Sequence, residues 1–245
     1  MGGLRLVLLL VLLTISNTAA ASLKLAAASN LNQVLSKLIL EFNKSNPQID
    51  ISITYGASGT LSQQIALGAP YDIFLSASPE YVDRLAKLGL IANRRVFAYG
   101  RLALYYSRRI NLTPENIYGL LQKSVDRIVI ANPKHAPYGR AAVECLIFYN
   151  IYDITKNKLI YAANVSQAAQ MAIHGADAAL IALPLVYNLN MKNFGGYLEL
   201  PINCHTPLLH EVVIINPSHP ANEFFNFLIS KEAAVILSSY GYEVP

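Results

Sequence analysis

Short apolar strand patterns alternate with helical patterns along almost the whole chain after residue 21. A strand pattern at residues 23–28 precedes apolar residues at helical spacing between Leu31 and Phe42, and residues 49–55 then alternate apolar and polar side chains. Further strand patterns, separated by helical ones, lie at residues 71–75, 127–131 and 178–183. Strands that alternate with helices predict open, mostly parallel sheets with helices on both faces, which is the α/β class.

One strand pattern is unusually long. It covers residues 96–106, includes Gly100, and is long enough to leave one sheet and enter another. A late strand pattern at residues 211–215 can return beside it, so we expect two α/β lobes joined by two crossing segments. Lobe 1 then contains residues 22–100 plus 209–245, and lobe 2 contains residues 101–208. A single larger sheet is the alternative.

The first 21 residues have the order of a cleavable signal peptide. Arg5 precedes an apolar stretch at residues 6–13, and small residues follow at 18–21. The apolar stretch is shorter than a spanning helix, which needs about 20 residues, although an uncleaved anchor is an alternative. Cleavage predicts a mature protein in the bacterial periplasm or outside the cell.

Composition excludes several classes of function. The 245 residues contain 19 Lys and Arg against 15 Asp and Glu, and no basic run is present, which argues against a nucleic-acid surface. The five histidines have no metal-ligand spacing. Two cysteines are too few for a disulfide framework or a Cys-rich zinc module. In an oxidising compartment Cys145 and Cys204 are compatible with one disulfide or with two buried thiols.

Four turns place small or hydroxyl residues directly before a helical pattern. They lie at residues 28–30, 57–60, 136–139 and 164–166. Each exposes backbone N–H groups at a helix N-terminus, where the helix dipole favours an anion, and such turns collect at the carboxyl ends of strands. A single such turn is usually only a helix cap. Four turns without Lys or Arg favour an oxyanion held by neutral donors, and Lys134, His135 and Arg140 beside the third turn are interpreted as a solvated rim.

The segments around these turns resemble the periplasmic molybdate-binding proteins of ABC transporters, the ModA type. The matching text is AAASN at 26–30, YGASGTLSQQI at 55–65, GAPYDIFLSAS at 68–78, ANPKHAPYGRAAVECL at 131–146 and NVSQAAQMAIHGADAALIAL at 164–183. The resemblance implies a type II periplasmic-binding fold, with molybdate or tungstate bound between the lobes and no cofactor or catalysis. It also implies a periplasmic monomer whose partner is the permease of an ABC transporter.

The resemblance also implies the anion contacts. Lobe 1 is expected to contribute the hydroxyls of Ser29 and Ser58. Lobe 2 is expected to contribute the backbone N–H groups of Tyr138 and Val165, and Asn30 is expected to be an additional donor. All would contact the oxygens of the anion and not its metal atom. Some family members place a Tyr hydroxyl on the anion where this chain has Ala182. That contact is absent here or is replaced, with Asn30 as the candidate.

Three other functions remain open from the sequence. The same fold can bind sulfate, thiosulfate or another oxyanion, and competition between anions would separate these ligands. A secreted hydrolase could use Ser58 or Ser29 as nucleophile, but no His or acid stands at a recognisable spacing. An adhesion or scaffold protein is the third alternative, and it predicts no response to small ligands.

Overall fold

The computed structural model describes residues 21–110, 115–188 and 190–245. The predicted signal peptide therefore lies outside the described residues, except for Ala21, which is already the first residue of a strand. The first part of the fold contains β1 (Ala21–Ala28), α1 (Asn32–Ser45), β2 (Ile49–Gly56), α2 (Ser58–Ala66), β3 (Ile73–Ser76), α3 (Pro79–Lys87) and β4 (Asn93–Gly100). The middle part contains β5 (Leu102–Ser107), β6 (Ile128–Ala131), α4 (Pro137–Phe148), α5 (Tyr152–Thr155), β7 (Leu159–Ala162), α6 (Val165–His174), β8 (Ala178–Ala182), α7 (Leu183–Asn188) and β9 (Gly195–Glu199). The last part contains β10 (Leu208–Ile214), α8 (His219–Leu228) and α9 (Lys231–Ser239).

The strands form two five-stranded sheets of the same design. Their orders are β2-β1-β3-β10-β4 and β7-β6-β8-β5-β9. In each sheet the first three strands are parallel, and the fourth strand is antiparallel to both of its neighbours. The predicted α/β class is confirmed, and the alternative of one larger sheet is wrong. We call the unit around the first sheet lobe 1 and the unit around the second sheet lobe 2.

The long strand predicted at residues 96–106 is two strands. β4 ends at Gly100 in the first sheet and β5 begins at Leu102 in the second, with Arg101 between them. β10 returns to the first sheet at Leu208, which lies opposite Gly100 in the pairing with β4. We call residues 100–102 and 206–208 the crossing segments. Gly100 and Arg101 interrupt the apolar pattern for only two residues, so the change of strand partners is what identifies the first crossing segment.

Burial follows strand position. Every residue of β6 and β8, which lie inside the second sheet, is buried, as expected for strands covered by helices on both faces. The apolar side chains predicted on α1 are buried as well, and Phe42 among them packs edge-on against Phe224 of α8 at 5.1 Å between ring centroids. This contact places the C-terminal helices on lobe 1. Full burial of one such ring contributes about 2–3 kcal/mol.

Two strands were not predicted from sequence. β7 has only four residues, and β9 begins with Gly195 and Gly196, which weaken a strand pattern. A Cβ atom on Gly196 would lie 2.5 Å from the hydroxyl oxygen of Tyr106, so the missing side chain lets β9 pair with β5. Within the described ranges we find no helix with the length and apolarity needed to cross a membrane.

The two cysteines form a disulfide. Cys145 on α4 is joined to Cys204, which ends a short 3₁₀ turn at Ile202–Cys204, with 4.6 Å between their Cα atoms. The bond ties the C-terminal half of α4 to the chain that leads into the second crossing segment. The structure therefore selects the disulfide over the two buried thiols.

We expect the disulfide to stabilise lobe 2 mainly by restricting the unfolded chain. The cysteines are 59 residues apart, and a loop of that size corresponds to about 4 kcal/mol in the chain-entropy estimate. Urea unfolding of the Cys145→Ala/Cys204→Ala variant should therefore show a lower free energy of unfolding than the oxidised protein. Dithiothreitol should destabilise the wild type and leave the double variant unchanged. If the wild type and the double variant had equal free energies of unfolding without dithiothreitol, the expectation would be contradicted.

Candidate functional site

All five predicted anion contacts line one small cavity between the lobes. The cavity has a volume of about 10 Å³, which is room for about one water molecule. Lobe 1 contributes Ser29 and Asn30 after β1 and Ser58 at the start of α2, whereas lobe 2 contributes Tyr138 in α4 and Val165 in α6. The other described lining residues are small or imino residues, namely Ala28, Gly56, Ala57, Ala77, Ala136 and Pro137. None of the described residues that line the cavity carries a charge.

Strand direction explains this convergence. The turns after the parallel strands β1, β2, β6 and β7 all lead to the cavity, as expected for the carboxyl ends of strands in α/β sheets. α4 begins with Pro137, which has no N–H, so the amide of Tyr138 is its first donor. α6 begins at Val165, and the Asn164 side chain caps it by accepting from the Gln167 N–H at 2.9 Å. First-turn amides have no intrahelical acceptor, so Tyr138 and Val165 can donate to a ligand.

The serine hydroxyls are prepared as donors. Ser58 is fully buried, and its Oγ accepts from the Ala77 N–H at 3.0 Å. The Oγ of Ser29 lies 3.4 Å from the N of Ser166, which donates toward it across the cleft. A hydroxyl that already accepts a hydrogen bond still has its own proton to give. Both serines can therefore present a proton to an acceptor in the cavity.

The Asn30 side chain has another use than the predicted one. Its Nδ2 donates to His210 Nε2 at 2.8 Å and to the Tyr242 hydroxyl at 2.9 Å, so both amide protons are engaged inside the protein. Asn30 can offer the cavity its backbone N–H, because it lies in the 3₁₀ turn Ser29–Leu31. Ala182 is fully buried in β8 and is not among the lining residues. In this structure both protons of the Asn30 carboxamide are therefore used inside the protein, and the backbone N–H of Asn30 is the donor that faces the cavity.

The lobes contact each other directly around the cavity. The Gly59 N–H donates to the His135 carbonyl at 2.8 Å, and a Cβ on Gly59 would lie 2.7 Å from that oxygen. The Ser166 hydroxyl donates to the Ser29 carbonyl at 2.7 Å. The missing side chain of Gly59 thus serves the approach of two backbones across the cleft.

Arg140 closes the rim of the cleft. Its guanidinium forms an ion pair with Glu80 on α3 of lobe 1 and donates to Ser78 Oγ at 3.1 Å. Glu80 also pairs with Arg84 on its own helix, and these cations together lower the pKa of a carboxyl that partial burial alone would raise. Arg140 is thus a rim residue that stays partly in water, as interpreted from the sequence, and it also pairs across the cleft with Glu80 of lobe 1.

His210 was missed as a site residue because nothing near it in sequence marks it. It is fully buried on β10, where Nδ1 lies 3.1 Å from the Leu208 carbonyl and Nε2 faces Asn30. Burial lowers the pKa of His210 to about 4, although the hydrogen bond to Leu208 opposes the shift. Among the described residues, no group of three or more His, Cys, Asp or Glu side chains is placed to hold a metal ion.

We expect His210 to make the folded protein acid-sensitive. Between pH 6.5 and about 4 the unfolded chain binds a proton on this imidazole and the folded chain does not, so stability falls as the pH falls through that window. The loss amounts to about 3 kcal/mol, from 1.36 kcal/mol per pKa unit. Denaturant unfolding at pH 7 and pH 4 measures this effect. Between these two pH values, His210→Gln should lose about 3 kcal/mol less free energy of unfolding than the wild type. His219→Gln is the control, because the side chain of His219 is 80% exposed. If His219→Gln reduced the loss of stability at pH 4 as much as His210→Gln does, the acid sensitivity would not belong to His210.

We expect the Arg140 contact to hold the cleft closed without ligand. Surface ion pairs contribute about 0.2–1 kcal/mol, so Arg140→Ala should raise the open population up to about fivefold. Hydrogen exchange of the Gly59 amide reports this population, because that N–H is bonded to His135 across the cleft. Arg84→Ala, which removes the pair within α3 only, should leave that rate unchanged. Equal rates in wild type and Arg140→Ala would rule the contact out as a closing interaction.

The chain is similar to known molybdate-binding proteins over most of its length. A molybdate-binding protein ModA from Azotobacter vinelandii is 29% identical over 231 residues, which cover 91% of this chain and 90% of that protein. A ModA from Rhodobacter capsulatus is 27% identical over 230 residues, covering 91% and 89%. The solved periplasmic molybdate-binding protein of A. vinelandii superimposes with a TM-score of 0.84 at 28% identity, over 91% of this chain and 99% of that chain.

A more distant likeness concerns the fold alone. The sulfate-binding protein SubI from Mycobacterium tuberculosis H37Rv superimposes with a TM-score of 0.77 at 15% identity, over 91% of this chain and 87% of that chain. The predicted two-lobe, type II periplasmic-binding fold is thereby confirmed. The sequence model of the bacterial extracellular solute-binding proteins matches residues 23–243. Since that match spans nearly the whole chain, the protein belongs to the bacterial extracellular solute-binding proteins.

Proposed function

We propose that this protein binds molybdate or tungstate as a tetrahedral dianion in the cavity between its lobes and delivers it to an ABC importer. The donors are the hydroxyls of Ser29 and Ser58 and the backbone N–H groups of Asn30, Tyr138 and Val165. The similarity to ModA proteins over about nine-tenths of the chain supports the choice of ligand. The metal atom of the anion is shielded by its own oxygens, so these residues are not metal ligands.

The observation that carries the proposal is a cavity whose hydroxyls and helix N-termini can donate, with no charged side chain among its described lining residues. A fully deprotonated dianion accepts at all four oxygens and donates none, so it matches such a site. Protonated phosphate would bring an O–H with no acceptor and is disfavoured. Each hydrogen bond to a charged group contributes about 1.5–3 kcal/mol, so several together support a Kd near or below micromolar.

The serine contacts argue against a hydrolase. In the described part of the chain, Ser29 Oγ and Ser58 Oγ contact backbone amides and not a histidine or a carboxylate. The buried imidazole of His210 is engaged with Asn30 and Leu208. A nucleophilic serine needs an adjacent general base. We therefore propose a binding protein without catalytic activity.

The remaining assignments are proposals that the fold and the family support. We propose residues 22–100 plus 209–245 as lobe 1 and residues 101–208 as lobe 2, which fits the sheet membership of the strands except that β1 begins at Ala21 and β10 at Leu208. We also propose a signal peptide at residues 1–21, a periplasmic location and a monomer. The partner is the permease of the importer, which would contact the closed form.

Thermal unfolding of the mature protein with different anions tests the proposal. A ligand at a thousandfold excess over Kd adds about 4 kcal/mol of stability, which is a shift of roughly 8–16 °C for a chain of this size. We expect that shift with molybdate and tungstate and a much smaller one with sulfate or phosphate. An equal shift with sulfate would assign the site to sulfate instead. The absence of any shift would contradict an oxyanion-binding function.

Truncation of the serine hydroxyls should weaken binding without unfolding the protein. We expect Ser29→Ala and Ser58→Ala each to raise the Kd for molybdate by about 10- to 100-fold, because each removes a hydrogen bond to a charged group. Isothermal titration calorimetry measures the change. Ser62→Ala is the matched control, since Ser62 is also buried on α2 but donates to the Tyr81 carbonyl. A Kd unchanged by both Ser29→Ala and Ser58→Ala would mean that the anion binds elsewhere.

A further inference from the structure

Three side chains from distant parts of the chain form a buried cluster behind the cavity. Asn30 follows β1, His210 lies on β10, and Tyr242 lies after α9, near the C-terminus. Their exposed fractions are only 2%, 0% and 3%, respectively. The cluster therefore joins the first turn of the anion site to the strand that returns through the second crossing segment.

The hydrogen bonds of the cluster fix every proton. The Tyr242 hydroxyl donates to the backbone carbonyl of Asn30 at 2.9 Å, and the Tyr242 oxygen in turn accepts from the side-chain Nδ2 of Asn30. His210 Nδ1 faces the Leu208 carbonyl and must carry the proton, which leaves Nε2 as the acceptor for the second amide proton of Asn30. A neutral imidazole is thus the form that fits, because a protonated one would set an N–H against an N–H.

His210 also contacts lobe 2. The ring of Tyr138, whose backbone N–H is a proposed anion donor, lies 6.2 Å from the imidazole between ring centroids. Both rings pack at the first crossing segment, where a Cβ on Gly100 would lie 2.8 Å from His210 Cε1 and closer still to the Tyr138 hydroxyl. One imidazole therefore touches a site residue of each lobe at the point where the lobes join.

We propose that His210 is a positioning residue of the anion site. It holds the Asn30 carboxamide, and through it the turn that carries Ser29 and the Asn30 N–H, at a set distance from the Tyr138 end of the cavity, without contacting the anion. This inference rests on the proposed oxyanion-binding function and deepens it. Because the spacing of donors from the two lobes sets which anion size fits, His210 contributes to selectivity between molybdate and the smaller sulfate.

The test compares two substitutions at His210 by calorimetric titration of the mature protein with sodium molybdate and with sodium sulfate. His210→Leu removes the acceptor for Asn30 and should raise the Kd for molybdate at least about tenfold. The Kd for sulfate should rise less, so the ratio of the sulfate Kd to the molybdate Kd should fall. His210→Gln keeps one acceptor and one donor on a single side chain and should stay within about threefold of the wild type. His205→Gln is the matched control, because His205 is also buried, five residues before His210, and among the described residues its ring bonds to the neighbouring Thr206 carbonyl.

The outcomes separate the inference from the proposed function. If the folded wild type binds no oxyanion, both are overturned. If the wild type binds molybdate and a cooperatively folded His210→Leu binds it equally well, the positioning role alone is overturned. Equal losses in His210→Leu and His210→Gln would assign the effect to packing and would also overturn it. If His210→Leu does not fold, Tyr242→Phe replaces it in the test, because this variant keeps the imidazole but removes one partner of Asn30. Tyr242→Phe should raise the Kd for molybdate at least threefold. An unchanged Kd would overturn the proposal.

Discussion

The pairing of the two crossing segments is the constraint on which the rest of the structure depends. Within the described residues the chain passes between its sheets at residues 100–102 and 206–208, and Gly100 lies directly opposite Leu208. The lobes are therefore joined along one edge, and the turns after their parallel strands border a common cavity. Gly100 leaves room there for the rings of His210 and Tyr138, so the join and the cavity wall are one packed unit.

Charged side chains lie at the rim of the cavity, whereas neutral hydrogen-bond donors line it. Arg140 and Glu80 pair at the rim, where both remain partly in water, whereas the described lining contains hydroxyls, amides and small side chains. A buried ammonium or guanidinium would require costly desolvation in the empty cleft. Helix N-termini provide positive potential without that cost, because their partial charges belong to the backbone. This arrangement suits an anion that has no proton to donate.

Closure uses few contacts between the lobes. Gly59 bonds to the His135 carbonyl and Ser166 to Ser29, and each neutral hydrogen bond contributes only about 1 kcal/mol. Contacts of this size do not by themselves commit the protein to one state. A ligand that bonds to both lobes adds free energy to the closed state alone, so the ligand decides the equilibrium. Under the proposed function, the population of the closed form therefore depends on the bound anion.

The sequence by itself determined the α/β class, the helices and strands around the four turns, and five of the residues that line the cavity. Strand periodicity, helix starts and the ModA resemblance can each be recognised in short stretches of sequence. Only the tertiary structure decided the break at Arg101, the disulfide and the closing contact of Arg140 with Glu80. It also decided the use of the Asn30 side chain, whose partners lie 180 and 212 residues away. Such contacts depend on which strands become neighbours, and no spacing along the chain records that choice.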